Sequence, residues 1–211
     1  MTTKFQHAVN TSINRPKRTG SRAFKVLDVA DAKKQVEVAD SIIRHDDQLE
    51  ELITEALDTV CIDTGQADAD ATYTMQYDFW PEGDEPIRLP VRPVSAITTV
   101  KYYDTATAQQ TLSAALYRFD NHRGWPVVWR ADLDVDWPDL DTRRPEAIEI
   151  TFQAGHLTLA AIKADAVWIR QAALFRLALL WHDRGLGQVD YDKSMRVYDS
   201  IIARRRSTLY L

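Results

Sequence analysis

The stretch Ile87-Arg-Leu-Pro-Val-Arg-Pro-Val-Ser-Ala-Ile-Thr-Thr-Val-Lys-Tyr-Tyr-Asp104 stands between two regions of helical periodicity and decides how the chain is divided. Pro90 and Pro93 have no backbone N–H to donate and bias the residues before them toward extended geometry, so the chain runs here as a kinked or edge segment. From Ala96 to Tyr103 β-branched and aromatic residues dominate. Ile97, Thr99, Lys101 and Tyr103 fall on one face and Thr98, Val100 and Tyr102 on the other, which predicts a strand.

Working outward toward the N-terminus, Ala71 to Phe79 has a period of two. Tyr73, Met75, Tyr77 and Phe79 alternate with Thr72, Thr74, Gln76 and Asp78, the pattern of a half-buried strand. Before it the period is helical. Leu49, Leu52, Ile53, Ala56, Leu57 and Val60 form one apolar face of a helix that begins at Asp46 or Asp47 and ends at Thr64-Gly65, with glycine as the C-terminal cap. An earlier short helix is capped by Asp28 and runs to about Asp40, with Val29, Ala32, Val36 and Ala39 inward and Lys33 and Lys34 outside.

Toward the C-terminus, shorter strands are predicted around 110–112, 116–119, 127–129 and 147–153, separated by turns at the spacing of an antiparallel sheet. Gly155 closes this β region. One long helix then runs from Thr158 to about His182, with Ile162, Ala166, Ile169, Ala173, Leu177, Leu180 and Trp181 on a broad face. Lys163, Asp165, Arg170, Gln171 and Arg176 interrupt it, which makes a membrane span costly. Gly185 and Gly187 end it, and a last helix spans Tyr191 to about Arg205.

The expected fold class is therefore α+β, a helical bundle formed from N- and C-terminal helices with an inserted antiparallel β module. Its parts are a flexible basic arm (1–27), the N-terminal helices of the scaffold (28–66), the β module (70–156), the C-terminal helices (157–206) and a tail (207–211). The length of 211 residues suffices for a sizeable core, and 45% apolar and 27% charged residues are ordinary for a globular chain. The single cysteine, Cys61, excludes an intramolecular disulfide. The polar N-terminus has no signal-peptide core.

The net charge of −5 hides an asymmetry. Residues 1–27 carry six cations and no acid, so the rest of the chain stands at −11. Within the arm, Arg15, Lys17, Arg18 and Arg22 are the candidate contacts to a partner or to nucleic acid. The acidic body argues against a large nucleic-acid grip, because Lys and Arg neutralising phosphate supply most of that affinity.

Catalytic signals are weak. Asp132, Asp134, Asp136, Asp139 and Asp141 space their carboxylates like the start of a calcium loop, but Trp137 stands where the loop needs glycine and Arg143 where it needs a bidentate glutamate. An acidic surface loop is the better reading, and a metal-dependent nuclease using Asp132, Asp134 and Asp136 is the enzymatic alternative. His7, His45, His122, His156 and His182 lack metal-ligand spacing. There is no phosphate-cradling glycine loop and no nucleophile elbow. No catalytic, cofactor-binding or metal residue is assigned, and no cofactor is implied. The Trp-Pro dipeptides at 80–81, 125–126 and 137–138 read as caps of the small sheet's core or as subunit contacts, ahead of base stacking.

The order of these parts resembles the head-tail connector (adaptor, or head-completion) proteins of long-tailed bacteriophages. The resemblance rests on Leu52-Ile53-x-x-Ala56 leading to Thr64-Gly65, Leu89-Pro90-x-x-Pro93-Val94-x-x-Ile97-x-x-Val100-x-Tyr102-x-Asp104, Trp137-Pro138, Ile148-x-Ile150-x-Phe152-x-Ala154-Gly155, and Ile162-Lys163 through Trp181-His182-Asp183-Arg184. It covers residues 28 to 184. The chain departs from the family pattern at Ala160-Ala161, where a proline is usual, and in its long basic arm.

The resemblance implies a non-enzymatic virion protein, assembled in the host cytoplasm and located at the neck. Its copies would form a homo-oligomeric ring of about twelve beneath the portal protein. A tail-side neck or stopper protein would be the second partner, and DNA would pass through the channel without sequence-specific binding or any membrane. The tail residues Arg204, Arg205, Arg206, Leu209, Tyr210 and Leu211 would dock on the portal, since nothing of their own core offsets the ordering cost of about 1–2 kcal/mol per residue. A DNA-binding accessory protein working through the basic arm is the remaining alternative.

Overall fold

The computed structural model describes residues 16–122, 125–184 and 191–205. The described residues divide into two compact units: those within 16–20, 72–89 and 94–153 belong to a β unit, and those within 21–71, 90–93 and 154–205 to a helical unit. This is an α+β chain in which a short strand precedes two helices, most strands occupy the middle of the sequence, and three helices follow them.

In the helical unit, α1 (Val29–Gln35) starts where Asp28 caps it, the Asp28 carboxylate accepting from the Asp31 N–H at 2.7 Å. It ends at Gln35, short of the predicted end near Asp40, with Val36 as its cap, and Glu37 follows in the left-handed region at φ 57°. Lys33, expected outside, is buried. Its Nζ reaches Asp46 at 2.7 Å and donates to the Asp40 carbonyl at 3.1 Å, so its charge is paired where it is desolvated.

α2 (Asp46–Thr64) carries Asp46 and Asp47 in its first turn and buries the predicted face together with Cys61. Gly65, at φ 66°, ψ 21°, donates its N–H to the Cys61 carbonyl, the left-handed cap that glycine adopts without a Cβ penalty.

The single long helix expected from Thr158 is two helices. α3 (Leu159–Asp165) is capped by Thr158, and α4 (Val167–Asp183) restarts after Ala166, whose φ −142°, ψ 32° lies outside the helical region. Neither proline nor glycine marks the break; Ala166 is instead held by its N–H bond to Ile162 and is itself buried. α4 buries residues around most of its circumference, from Trp168 to Trp181, as a central helix must. α5 (Tyr191–Ala203) packs Tyr198 and Ile202 into the same core. Tyr198 ties α5 to α2 by donating its hydroxyl to Asp63 at 2.5 Å.

The β unit holds a five-stranded sheet in the order β1-β2-β8-β4-β5 and a three-stranded sheet in the order β3-β7-β6. β1 (Lys17–Arg18) pairs antiparallel with β2 (Ala71–Tyr77), Lys17 opposite Thr74. β2 buries Ala71, Tyr73, Met75 and Tyr77, as its alternation predicts. Phe79, counted with them, lies beyond the strand's end and is 52% exposed.

β4 (Val94–Tyr103) pairs with β5 (Gln109–Thr111) across a turn built on Asp104, whose carboxylate accepts from the N–H groups of Ala106 and Ala108 and from the Gln110 amide. β8 (Ile148–Ala154) turns Ile148, Ile150, Phe152 and Ala154 inward, and the Phe152 ring stacks on Tyr73. In the smaller sheet, β3 (Ile87–Arg88) and β6 (Tyr117–His122) flank β7 (Trp125–Arg130), with a 3-10 turn at Ala114–Leu116 before β6.

The stretch with the two prolines now has a definite place. Leu89 donates to Pro126 in the β unit, whereas Pro90–Pro93 belongs to the helical unit. There the Arg92 N–H donates to the Gly65 carbonyl, the Arg92 carbonyl accepts from Ala67, and the Pro93 carbonyl accepts from Gly155, all at 2.8–2.9 Å. A four-residue visit thus bonds to the backbone just after α2. The Arg92–Pro93 bond is cis.

Candidate functional site

The residues singled out from sequence fall in separate places. Arg15 lies outside the described residues, as do Arg206, Leu209, Tyr210 and Leu211. Lys17 and Arg18 are in β1, and the Arg18 guanidinium donates to the Gly20 carbonyl at 2.9 Å.

Arg22 differs from what its place in a basic arm suggests. Its side chain is 11% exposed, its Nε donates to both carboxylate oxygens of Asp68 at 2.8 and 3.0 Å, and its terminal nitrogen meets Asp58 at 2.8 Å. Val26 and Leu27, also assigned to the arm, are buried in the helical core. Residues 16–27 are therefore integral to the folded units, because this segment carries apolar and ion-paired side chains as well as positive charge. Arg22 is committed to two carboxylates and is not available to phosphate.

At the other terminus, Arg204 and Arg205 are exposed just beyond α5. The Arg205 guanidinium carbon sits 5.4 Å from the centre of the Trp168 ring, a cation–π contact that holds the chain end against the start of α4.

The aspartate loop does not converge. Asp132 accepts from the backbone N–H of Asp134; Asp136 meets Arg130 at 3.1 Å; Asp141 accepts from the Arg143 backbone and guanidinium. Among the described residues no group of three or more His, Cys, Asp or Glu is placed to hold a metal ion. Arg130 organises this region instead, donating also to Asp84 and to the carbonyls of Gly83 and Val135. Two of the Trp-Pro dipeptides meet: the Trp80 and Trp137 rings stack at 4.7 Å, and the Trp80 indole donates to the Pro138 carbonyl.

Two of the described histidines make ring contacts. His45 meets Trp181 edge to face, and His182 lies beside Tyr191. His182 and Asp183 approach only to 3.9 Å, too far for a hydrogen bond. Burial holds the His156 imidazole below its usual range against the opposing charges of Asp165 and Asp68. Burial, reinforced by the Asp63 carboxylate, raises the Tyr198 hydroxyl above the usual phenol range, so it stays a hydrogen-bond donor.

Acidic charge also gathers along α2, which no motif in the sequence singled out. Asp47, Glu50, Glu51, Glu55 and Asp58, with Thr54, Thr59 and Ile62, line an open depression along the outer side of α2. Their helical spacing was the available signal. Part of the charge is matched: Lys25 meets Glu50 at 2.6 Å and Arg184 meets Glu55 at 3.4 Å. Among the described residues no helix is long and apolar enough to cross a membrane.

No protein-family model matches this sequence, and no curated protein does. Solved structures do match in three dimensions. A chain from the virion of a native gene transfer agent particle superposes with a TM-score of 0.66 at 19% identity, covering 92% of this chain and 95% of the other. The chain has the fold of a particle-neck subunit. A chain from the neck of an empty gene transfer agent particle, computed with C6 symmetry, gives 0.66 at 21% identity with the same coverage. One from the neck of a native particle, computed with C12 symmetry, gives 0.57 at 20% identity over 90% of this chain and 95% of that one. The neck fold thus spans both units and leaves little of either chain unmatched. At these identities it is a likeness of architecture, and side-chain roles are not carried with it.

Proposed function

We propose that this chain is a structural virion protein, a head-tail adaptor whose copies form a ring beneath the portal and extend the DNA exit channel toward the tail. The observation that carries this reading is the neck fold, matched over nearly the full length of chains taken from necks with C6 and C12 symmetry. A ring is the natural use of such a subunit, since a repeated head-to-tail contact closes when its rotation divides the circle.

The charge supports the same role. A strongly acidic α2 face beside a channel repels the DNA backbone and lets it slide, where a basic lining would hold it. The exposed Arg204 and Arg205 begin the segment proposed to dock on the portal protein, continuing through Arg206, Leu209, Tyr210 and Leu211. Arg15, Lys17 and Arg18 remain candidates for partner contact, and a tail-side neck or stopper protein would close the far end. The role is non-enzymatic and located at the virion neck, with assembly in the host cytoplasm.

Electron microscopy of assembled particles, or of the chain mixed with its portal protein, tests this. Density for a ring of this chain at the neck is expected. Particles in which the chain is absent from the neck overturn it. Truncation after Ala203 should leave a folded chain that no longer attaches to the portal.

A further inference from the structure

Helix α5 ends against the start of α4. Ile202 is buried in the helical core, the Arg205 N–H donates to the Ile202 carbonyl at 2.8 Å, and the Arg205 guanidinium lies over the Trp168 ring. The chain beyond Arg205 therefore sets out close to Val167, the neighbour of Trp168. Val167 is 58% exposed, although it opens a helix that buries most of its apolar residues. α3 leads into it, burying only Ile162 and leaving Leu159 38% exposed, and Leu157 just before is 69% exposed. Scattered exposed apolar residues need no explanation, but three large ones within eleven residues form a patch.

Position, and not charge, selects what covers this patch. The exposed charges on α3 are Lys163 and Asp165, of opposite sign, and Arg170 one turn into α4 is paired with Asp31 at 2.6 Å. The tail brings Arg204, Arg205 and Arg206 ahead of its apolar residues, so it too meets one like and one opposite charge. Reach is sufficient: α3 is about 9 Å long, and residues 206–211 span about 20 Å when extended. Other apolar segments are tied elsewhere. Ile43 stands near His45, which packs on Trp181 toward the far end of α4, about 21 Å from Val167 along the helix. The connection from α4 to α5, with Leu186 and Val189, departs from that same far end. Residues before Pro16 enter through β1, in the β unit.

We infer that in the free subunit Leu209, Tyr210 and Leu211 fold back onto the Leu157-Leu159-Val167 patch of their own chain, and that the portal draws them off on docking. The second half rests on the portal-docking reading above; the first half does not. The contact covers two apolar surfaces with each other until assembly, where either one left open would invite non-specific association. Release then uncovers the tail and the patch together, so the subunit becomes adhesive only where its partner is present.

The full chain carrying Val167→Cys and Leu209→Cys tests the contact, with Cys61 buried and out of reach. Under dilute oxidising conditions it is expected to close an internal disulfide and run as a monomer on a non-reducing gel, since bridged Cα atoms must come within about 7 Å. In the Val167→Cys chain, truncation after Arg205, and separately Leu209→Ser with Leu211→Ser, should each raise the rate of labelling by a thiol reagent about tenfold and speed amide exchange in α3, with an unchanged circular dichroism spectrum. Equal labelling with and without the tail overturns the contact. Disulfide-linked dimers in place of the internal bridge, or protection that grows with concentration, also overturn it, because the cover then comes from a second copy. Portal protein added to the otherwise full-length Val167→Cys chain should raise labelling to the truncated rate. Portal that binds while Val167→Cys stays protected overturns the release, whereas a tail that protects it in a chain that never binds portal supports the fold-back and overturns the portal reading.

Discussion

Replacing Arg22 with methionine separates a structural cation from a binding one. The substitution keeps much of the side chain's apolar length while removing the charge that faces Asp68, which is 1% exposed, and Asp58, which is 36% exposed. Breaking a buried pair by removing one partner costs about 3–5 kcal/mol, because the remaining carboxylate is left desolvated. Asp58 can rehydrate, so the cost rests on Asp68 and should fall near the lower bound, about 3 kcal/mol. For a chain of this size that lowers the melting temperature by roughly 6–12 °C.

Urea unfolding followed by circular dichroism measures the loss, and the Arg22→Met/Asp68→Leu double variant should regain most of it by removing the stranded charge. High salt should change the loss little, since the pair is shielded from solvent. A single variant within 1 kcal/mol of wild type would refute the reasoning and return Arg22 to the pool of available surface cations.

Gly155 has φ 120°, and a Cβ there would stand 2.2 Å from the Ala69 carbonyl oxygen, a backbone atom. Gly155→Ala should therefore cost about 3 kcal/mol or more, read as a fall in the urea midpoint. Phe152, fully buried against Tyr73, should lose about 3–5 kcal/mol on truncation to alanine by the same assay. His156 has a lowered folded pKa, so the unfolded chain binds that proton more readily. Its contribution to stability is fully present above about pH 6.5 and is lost as pH falls through the unfolded value toward the folded one. Thermal melts across that range should show a shallower slope for His156→Gln than for wild type.

Local chemistry was enough to place most elements. The apolar stripe from Leu49 to Val60 and the Thr64-Gly65 stop specify α2 because one face of a 3.6-residue repeat must find a core and glycine tolerates the left-handed cap. Alternation at Tyr73, Met75 and Tyr77, and at Ile148, Ile150 and Phe152, specifies β2 and β8 because successive side chains leave opposite faces of a strand. The order of those elements also carried the resemblance to connector proteins that the neck fold supports. No aspartate convergence or histidine spacing pointed to catalysis with the same force.

Tertiary structure decided what no local pattern encodes. The break at Ala166 has no proline or glycine behind it. Lys33 is buried because Asp46 and the Asp40 carbonyl await it, and Arg22 leaves the basic arm for Asp58 and Asp68. The apolar residues around α3 read in sequence as the start of one core helix, but their exposure became visible only once Ile162 alone turned inward. Sequence by itself determined the alternation of helical and extended segments, because backbone preference and hydrophobic period act within a few residues. Which charges are paired and which apolar side chains stay exposed depends on contacts between separate elements, as between Arg22 and Asp58 or Arg184 and Glu55, 36 and 129 positions apart, and only the folded chain brings those together.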